Sequence, residues 1–200
     1  RDAYLGEADL SDADLAGADL TDADVSDGRM ARAMLTGARL KRAILVGTDL
    51  SAADLADAYM AEADLSGADL SGAQMREANL SGADLTKTKL AASDLTQAKL
   101  AGAALSETDL SGACLNSADL TESEWSGAKV SGTDFTRADL TGAEITNMDF
   151  AKATMTDAQI DDGVAGGNTK AEDVGIATVH VEDPQIAVNG SKIAITWENP

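Results

Sequence analysis

The sequence predicts an all-β solenoid: a chain wound into square coils whose parallel strands stack along one axis. Three observations carry this reading. Every fifth residue from Leu5 to Ile160 is large and apolar, and 21 of these 32 positions are Leu. Two residues before each of them the chain is small, with Ala at 24 of the 32 places, Gly, Ser or Thr at seven, and Met148 alone breaking the rule. A period of five also fits neither a helix, which repeats every 3.6 residues, nor a strand, which alternates every 2.

The physical solution is a chain that turns a corner every five residues. Each short side sends one large and one small side chain inward, and four sides close a coil. A single coil has no core of its own, so stability must come from stacking. A long helix is excluded, because Gly, Ser or Thr recurs in nearly every unit and no consistent apolar face develops. At 20 residues per coil, residues 1–160 form about eight coils, roughly 38 Å long at a spacing of about 4.8 Å.

Each element then has a place. The residue before the large one is Asp at 15 positions, among them Asp9, Asp64 and Asp139, and faces water. Ser or Thr commonly follows the large residue, and Gly often comes next, marking the corner. Trp125, Phe135 and Phe150 fall in the last two coils together with Met148, which points to an imperfect end prepared for a cap. Residues 161–175 contain Gly163, Gly166 and Gly167 and read as a linker. Residues 176–200 alternate like strands around Asn189-Gly190, a hairpin signal, and form either a cap or the start of a further domain.

Units such as Ala8-Asp9-Leu10-Ser11-Asp12, Ala68-Asp69-Leu70-Ser71-Gly72 and Ala118-Asp119-Leu120-Thr121-Glu122 resemble the pentapeptide-repeat family. The resemblance covers residues 1–160. It implies a right-handed quadrilateral β-helix with the central Leu or Phe and the preceding small residue pointing inward.

Charge narrows the function. The chain carries 15 Lys and Arg against 35 Asp and Glu, a formal net charge of −20. Such a surface disfavours nucleic acid and anionic membrane, since both are recognised through Lys and Arg. No apolar run is long enough to insert in a bilayer. The chain opens at Arg1 rather than Met, which fits removal of a leader or an upstream domain; the compartment stays open, with the cytoplasm favoured.

Enzymatic chemistry finds no support. There is no Gly-rich phosphate loop, no Cys or His ligand set and no Ser–His motif, and a convex wall offers no cleft to set carboxylate pKa values apart. No cofactor or metal is expected. Cys114 sits on the wall without a cationic neighbour to activate it. His180 belongs to a strand, Asn189-Gly190-Ser191 serves the turn although it matches a glycosylation pattern, and the Asp161-Asp162 and Glu172-Asp173 pairs lack calcium-loop spacing.

What remains is a non-enzymatic protein-binding or scaffold domain with an acidic rod surface. The candidate partner surface is the basic stretch Arg29, Arg32, Arg39, Lys41 and Arg42 with Met34, Ile44 and Tyr59, apolar residues at usually polar sites. Column alignment stacks Arg39, Tyr59, Asn79 and Lys99, and separately Arg29, Asp49, Asp69, Lys89, Asp109, Lys129 and Asp149. The alternative comes from the resemblance: several family members bind bacterial DNA gyrase or topoisomerase IV, as an acidic mimic of duplex DNA, and alter quinolone susceptibility. Those are commonly dimers joined through a C-terminal helix, and some carry loops that interrupt the coil. This sequence has no inserted loop over residues 1–160, and its C-terminal part reads as strands.

Overall fold

A computed structural model describes residues 1–159. The linker and hairpin expected over 161–175 and 176–200 lie outside them, as does Ile160. The described chain is a four-sided parallel β-helix. Residues pair with partners 20 positions on, in unbroken series such as Tyr4–Asp24–Ile44–Asp64–Asp84 and Asp19–Arg39–Tyr59–Asn79–Lys99. One level of the series is long enough to form two regular strands, β1 (Glu124–Ser126) and β2 (Glu144–Thr146), paired in parallel with Trp125 opposite Ile145.

Three hydrogen bonds per side build the ladder, one of them from the corner residue, as Ala52 donates to the Ser71 carbonyl at 2.9 Å. The large residue donates its N–H to the next coil, as Leu50 does to the Asp69 carbonyl at 2.7 Å, and the residue before it donates to the previous coil, as Asp49 does to the Gly28 carbonyl at 3.0 Å. The small residue closes the corner by donating back to the preceding large one, as in Ala53 to the Leu50 carbonyl at 3.1 Å. Buried backbone groups are thereby paired, which a dry interior requires.

The core is the column of large side chains. From Leu20 to Met155 every fifth residue is buried, whereas Leu5, Leu10 and Leu15 face inward but stay partly exposed at the first coil. The walls are mostly Ala. Where Thr replaces Ala at Thr48, Thr88, Thr108 and Thr133, the hydroxyl is buried and donates to the Val25, Leu65, Leu85 and Leu110 carbonyls at 2.7–2.9 Å. Buried hydroxyls with partners cost little.

Corners need a left-handed residue. The second residue after each large one has positive φ at 31 positions, of which 11 are Gly and 20 are not. Five are Arg, Lys or Gln, which have no special liking for that region. The ladder fixes the corner, and the residue conforms.

The far end departs from this regularity in one place. Met148, at a wall position, is buried, and Phe150 beside it stacks edge-on against Phe135 at 6.0 Å, which meets Trp125 in the same way at 6.1 Å. The series Arg29–Asp49–Asp69–Lys89–Asp109–Lys129 does not extend to Asp149, contrary to the expected stack. Gly132 donates to the Lys152 carbonyl rather than to residue 151, and Lys152 is the one corner residue here without positive φ. The register thus slips by one residue just after a methionine stands where the wall takes a small residue.

Candidate protein-binding sides

The repeat fixes where every outward side chain lies. With four sides per coil, the mid-side residue recurs every 20 positions. The first side presents Tyr4, Asp24, Ile44, Asp64, Asp84, Ala104, Glu124 and Glu144. The second presents Asp9, Arg29, Asp49, Asp69, Lys89, Asp109 and Lys129. The third presents Asp14, Met34, Asp54, Gln74, Asp94, Cys114, Asp134 and Thr154. The fourth presents Asp19, Arg39, Tyr59, Asn79, Lys99, Asp119, Asp139 and Gln159.

This arrangement divides the basic stretch expected to form one surface. Ile44 is on the first side, Arg29 on the second, Met34 on the third, and Arg39 with Tyr59 on the fourth. Arg32 occupies the corner between the second and third sides, and Lys41 and Arg42 the corner between the fourth and first. Residues close in sequence wrap around the rod, so no flat partner touches all eight. Met34, Ile44 and Tyr59 are exposed by 46%, 42% and 38%, on three different sides. Tyr4, at 83%, is a fourth exposed apolar group that the basic stretch did not include.

Most of the cations are already engaged. Arg29 pairs with Asp9 at 3.0 Å, Arg32 with Asp12 at 2.6 Å, Lys41 with Glu62 at 3.0 Å and Arg42 with Asp22 at 2.7 Å. Arg32 and Arg42 each grip both carboxylate oxygens. The Asp12 carboxyl is held below its ordinary range, first by the hydrogen bond from Arg32, and the same contact raises the Arg32 guanidinium. Lys89–Asp69 and Lys129–Asp109 repeat the pattern one level apart along the second side. Arg39 and Lys99 make no ion pair among the described residues.

The carboxylates have a structural duty that sequence reasoning missed. All 15 mid-side Asp residues accept the backbone N–H two residues on, from Asp9 with Ser11 at 3.1 Å to Asp149 with Ala151 at 2.9 Å. Asn79 does the same for Ser81 at 3.0 Å. The Ser or Thr that follows often adds its hydroxyl, as Ser66 does to Asp64 at 2.7 Å. The signal was present in the repeated Asp-Leu-Ser/Thr order, which places an Asx turn at each corner. The mid-side carboxylates are therefore oriented through Oδ1, while Oδ2 of Asp9, Asp19, Asp69, Asp94 and Asp109 meets a cation and that of Asp54 accepts the Thr36 hydroxyl.

Charge also segregates by side. The first and third sides, on opposite faces of the square, carry no mid-side cation, while Arg29, Lys89 and Lys129 lie on the second and Arg39 and Lys99 on the fourth. On the third side carboxylates recur at every second level, Asp14, Asp54, Asp94 and Asp134, about 9.6 Å apart. Among the described residues no group of three or more His, Cys, Asp or Glu is placed to hold a metal ion, and no helix is long and apolar enough to cross a membrane. Cys114 is half-buried on the third side, its Sγ 3.3 Å from Thr96 Oγ1.

The family model for pentapeptide repeats matches eight copies, over residues 1–37, 33–72, 53–90, 88–123 and 126–157. The chain belongs to the pentapeptide-repeat family. As a pentapeptide-repeat protein it is a wall of stacked corners. No match was found among curated proteins. Among solved structures it is similar to trypsin-treated QnrB1, a plasmid-mediated fluoroquinolone resistance protein, at 21% identity and a TM-score of 0.80, over 90% of each chain. It is also similar to HetL, a pentapeptide-repeat protein involved in heterocyst differentiation regulation in the cyanobacterium Nostoc, at 32% identity and a TM-score of 0.39 over 84% of this chain and 83% of that one. A pentapeptide-repeat protein of the Arabidopsis thaliana thylakoid lumen matches at 29% identity and a TM-score of 0.27, covering 52% of this chain and 68% of its own.

Proposed function

We propose that the protein is a binding rod that occupies the DNA channel of a bacterial type II topoisomerase, gyrase or topoisomerase IV, in place of duplex. The observation that carries this reading is the pair of sides on opposite faces of the coil whose mid-side positions hold carboxylates and no cation, with Asp94 alone on the third side paired, to Arg76 at the corner. Residues 1–160 hold 28 acids and 13 bases, so over roughly 38 Å there is about one carboxylate per 1.4 Å and one net charge per 2.6 Å. Duplex DNA carries about one charge per 1.7 Å. A channel evolved for phosphate meets a similar charge density here, and its field steers the rod inward. The tethered Asp carboxylates lose little freedom on contact, which favours binding.

The fold likeness to QnrB1, a fluoroquinolone resistance protein, supports the target. The described coils carry no inserted loop, so in this proposal the sides themselves make the contact. The proposal places the protein in the cytoplasm with its target.

Gyrase supercoiling measured against increasing protein tests it. Inhibition relieved by salt is expected, because the contact is between charges. A triple variant, D54N/D94N/D134N, should fold normally, since Asn79 shows that an amide keeps the corner bond, yet inhibit more weakly. Unchanged supercoiling at large protein excess removes the proposal.

A further inference from the structure

We infer that the fourth side holds a separate docking strip for an extended acidic segment of a partner protein, lying parallel to the rod axis. The strip is Arg39, Tyr59, Asn79 and Lys99, four successive levels with no mid-side carboxylate. Arg39 has lost its nearest acid: Asp19, one level away, is taken by Arg1 at 2.7 Å and by the Thr21 N–H at 3.2 Å. At the other end, Asp119 accepts both the N–H and the hydroxyl of Thr121 through Oδ1. The two cations thus flank an exposed tyrosine and an amide whose oxygen accepts the Ser81 N–H.

The surroundings permit an anion despite the charge of the whole chain. The side and its two corners, from Thr36 to Gly102, hold five cations (Arg39, Lys41, Arg42, Arg76, Lys99) against three acids (Asp57, Glu62, Glu77). With Arg42 held by Asp22 and Arg76 by Asp94, Arg39 and Lys99 stand against Asp57 and Glu77, so the strip is locally neutral where the chain as a whole is acidic. Glu62 is neutralised by Lys41. Arg39 and Lys99 lie one level, about 4.8 Å, from Asp19 and Asp119, and Asp19 is offset by its pairing with Arg1; Tyr59 lies two and three levels from the same acids.

Spacing selects the occupant. Arg39 and Lys99 are three levels apart, about 14 Å. In an extended chain, residues i and i+4 point the same way about 13.5 Å apart, with i+2 midway. A segment with carboxylates at i and i+4 and an aromatic ring at i+2 sets one acid on each cation and its ring against Tyr59. The strip's mid-side backbone groups are committed to the coil ladder, so recognition is by side chains. This inference does not rest on topoisomerase binding, which uses other sides.

The probe is the capped peptide Glu-Thr-Trp-Thr-Glu, titrated into isotope-labelled protein and followed by amide shifts. Shifts confined to the neighbourhood of Arg39, Tyr59, Asn79 and Lys99, saturating at about millimolar peptide, are expected, weakening about tenfold in R39E/K99E. The peptides Lys-Thr-Trp-Thr-Lys and Glu-Glu-Thr-Trp-Thr should bind distinctly less. Circular dichroism checks that R39E/K99E is folded, and supercoiling inhibition by that variant should match the parent. Absence of shifts on the fourth side at about 5 mM peptide overturns the inference, as do shifts that R39E/K99E leaves unchanged.

Discussion

Asp49 Oδ1 accepts the Ser51 backbone N–H at 3.0 Å, closing a corner of the coil with no cation in contact. The bond asks for an oxygen acceptor and not for a charge. D49N is therefore expected to keep the thermal stability of the parent, while D49A should lose about 1 kcal/mol, the usual worth of such a cap. Paired thermal melts decide it; equal losses in the two variants would assign the effect to charge instead.

Acid should weaken the whole rod. The Asp24 carboxyl lies below its ordinary range, chiefly through the Ser26 hydroxyl and then the Ser26 N–H. At Asp94 burial pushes the other way but is outweighed by Thr96 and Arg76. A carboxyl depressed on folding contributes stability above its unfolded pKa, about 3.9, and that contribution disappears as pH falls through the folded value. Melting temperature should be flat from about pH 8 to pH 5 and fall below about pH 4. A melting temperature that rises on acidification would show that relief of acidic repulsion dominates.

The corners respond to backbone preference alone. Gly67 has φ of 68° and open space where a Cβ would stand, so only conformation resists a side chain there. G67V should cost about 1–2 kcal/mol, and A92G, at φ of 57°, should gain up to about 1 kcal/mol. K152G, at the one corner lacking positive φ, should bring no such gain. Denaturant melts of the three variants provide the comparison.

The core should fail in two distinguishable ways. Leu90 is fully buried in a Leu column. L90A removes packed methyls and should cost about 2–5 kcal/mol. L90D places an unpaired charge in the same dry position and should prevent cooperative folding altogether. A soluble L90D protein of unchanged stability would contradict the inward orientation of the column.

Much of this was legible in the chain. Leu at every fifth position, with Ala two before, dictates the coil, and the same arithmetic stacks Arg39 on Tyr59 and Asn79 on Lys99. Arg29, Met34, Arg39 and Ile44 lie on four different sides although they are near in sequence, because five residues turn the chain by a right angle. The division into paired and unpaired cations was hidden as well. It depends on Asp19 being claimed by Arg1, a contact between coils that no local pattern announces. The slip at Lys152 was foreshadowed by Met148, but its direction follows only from packing.

Corners every five residues also give the surface a phase that the core does not share. One additional five-residue unit after Leu50 would leave large residues over large residues and the interior unaltered. Every outward group beyond it would nevertheless rotate by a quarter turn, carrying Tyr59 and Lys99 away from Arg39 and onto the first side. Whole coils of 20 residues can be gained or lost in register, lengthening or shortening each side while the alignment on either flank survives. In this architecture a short insertion is thus a change of address rather than of stability.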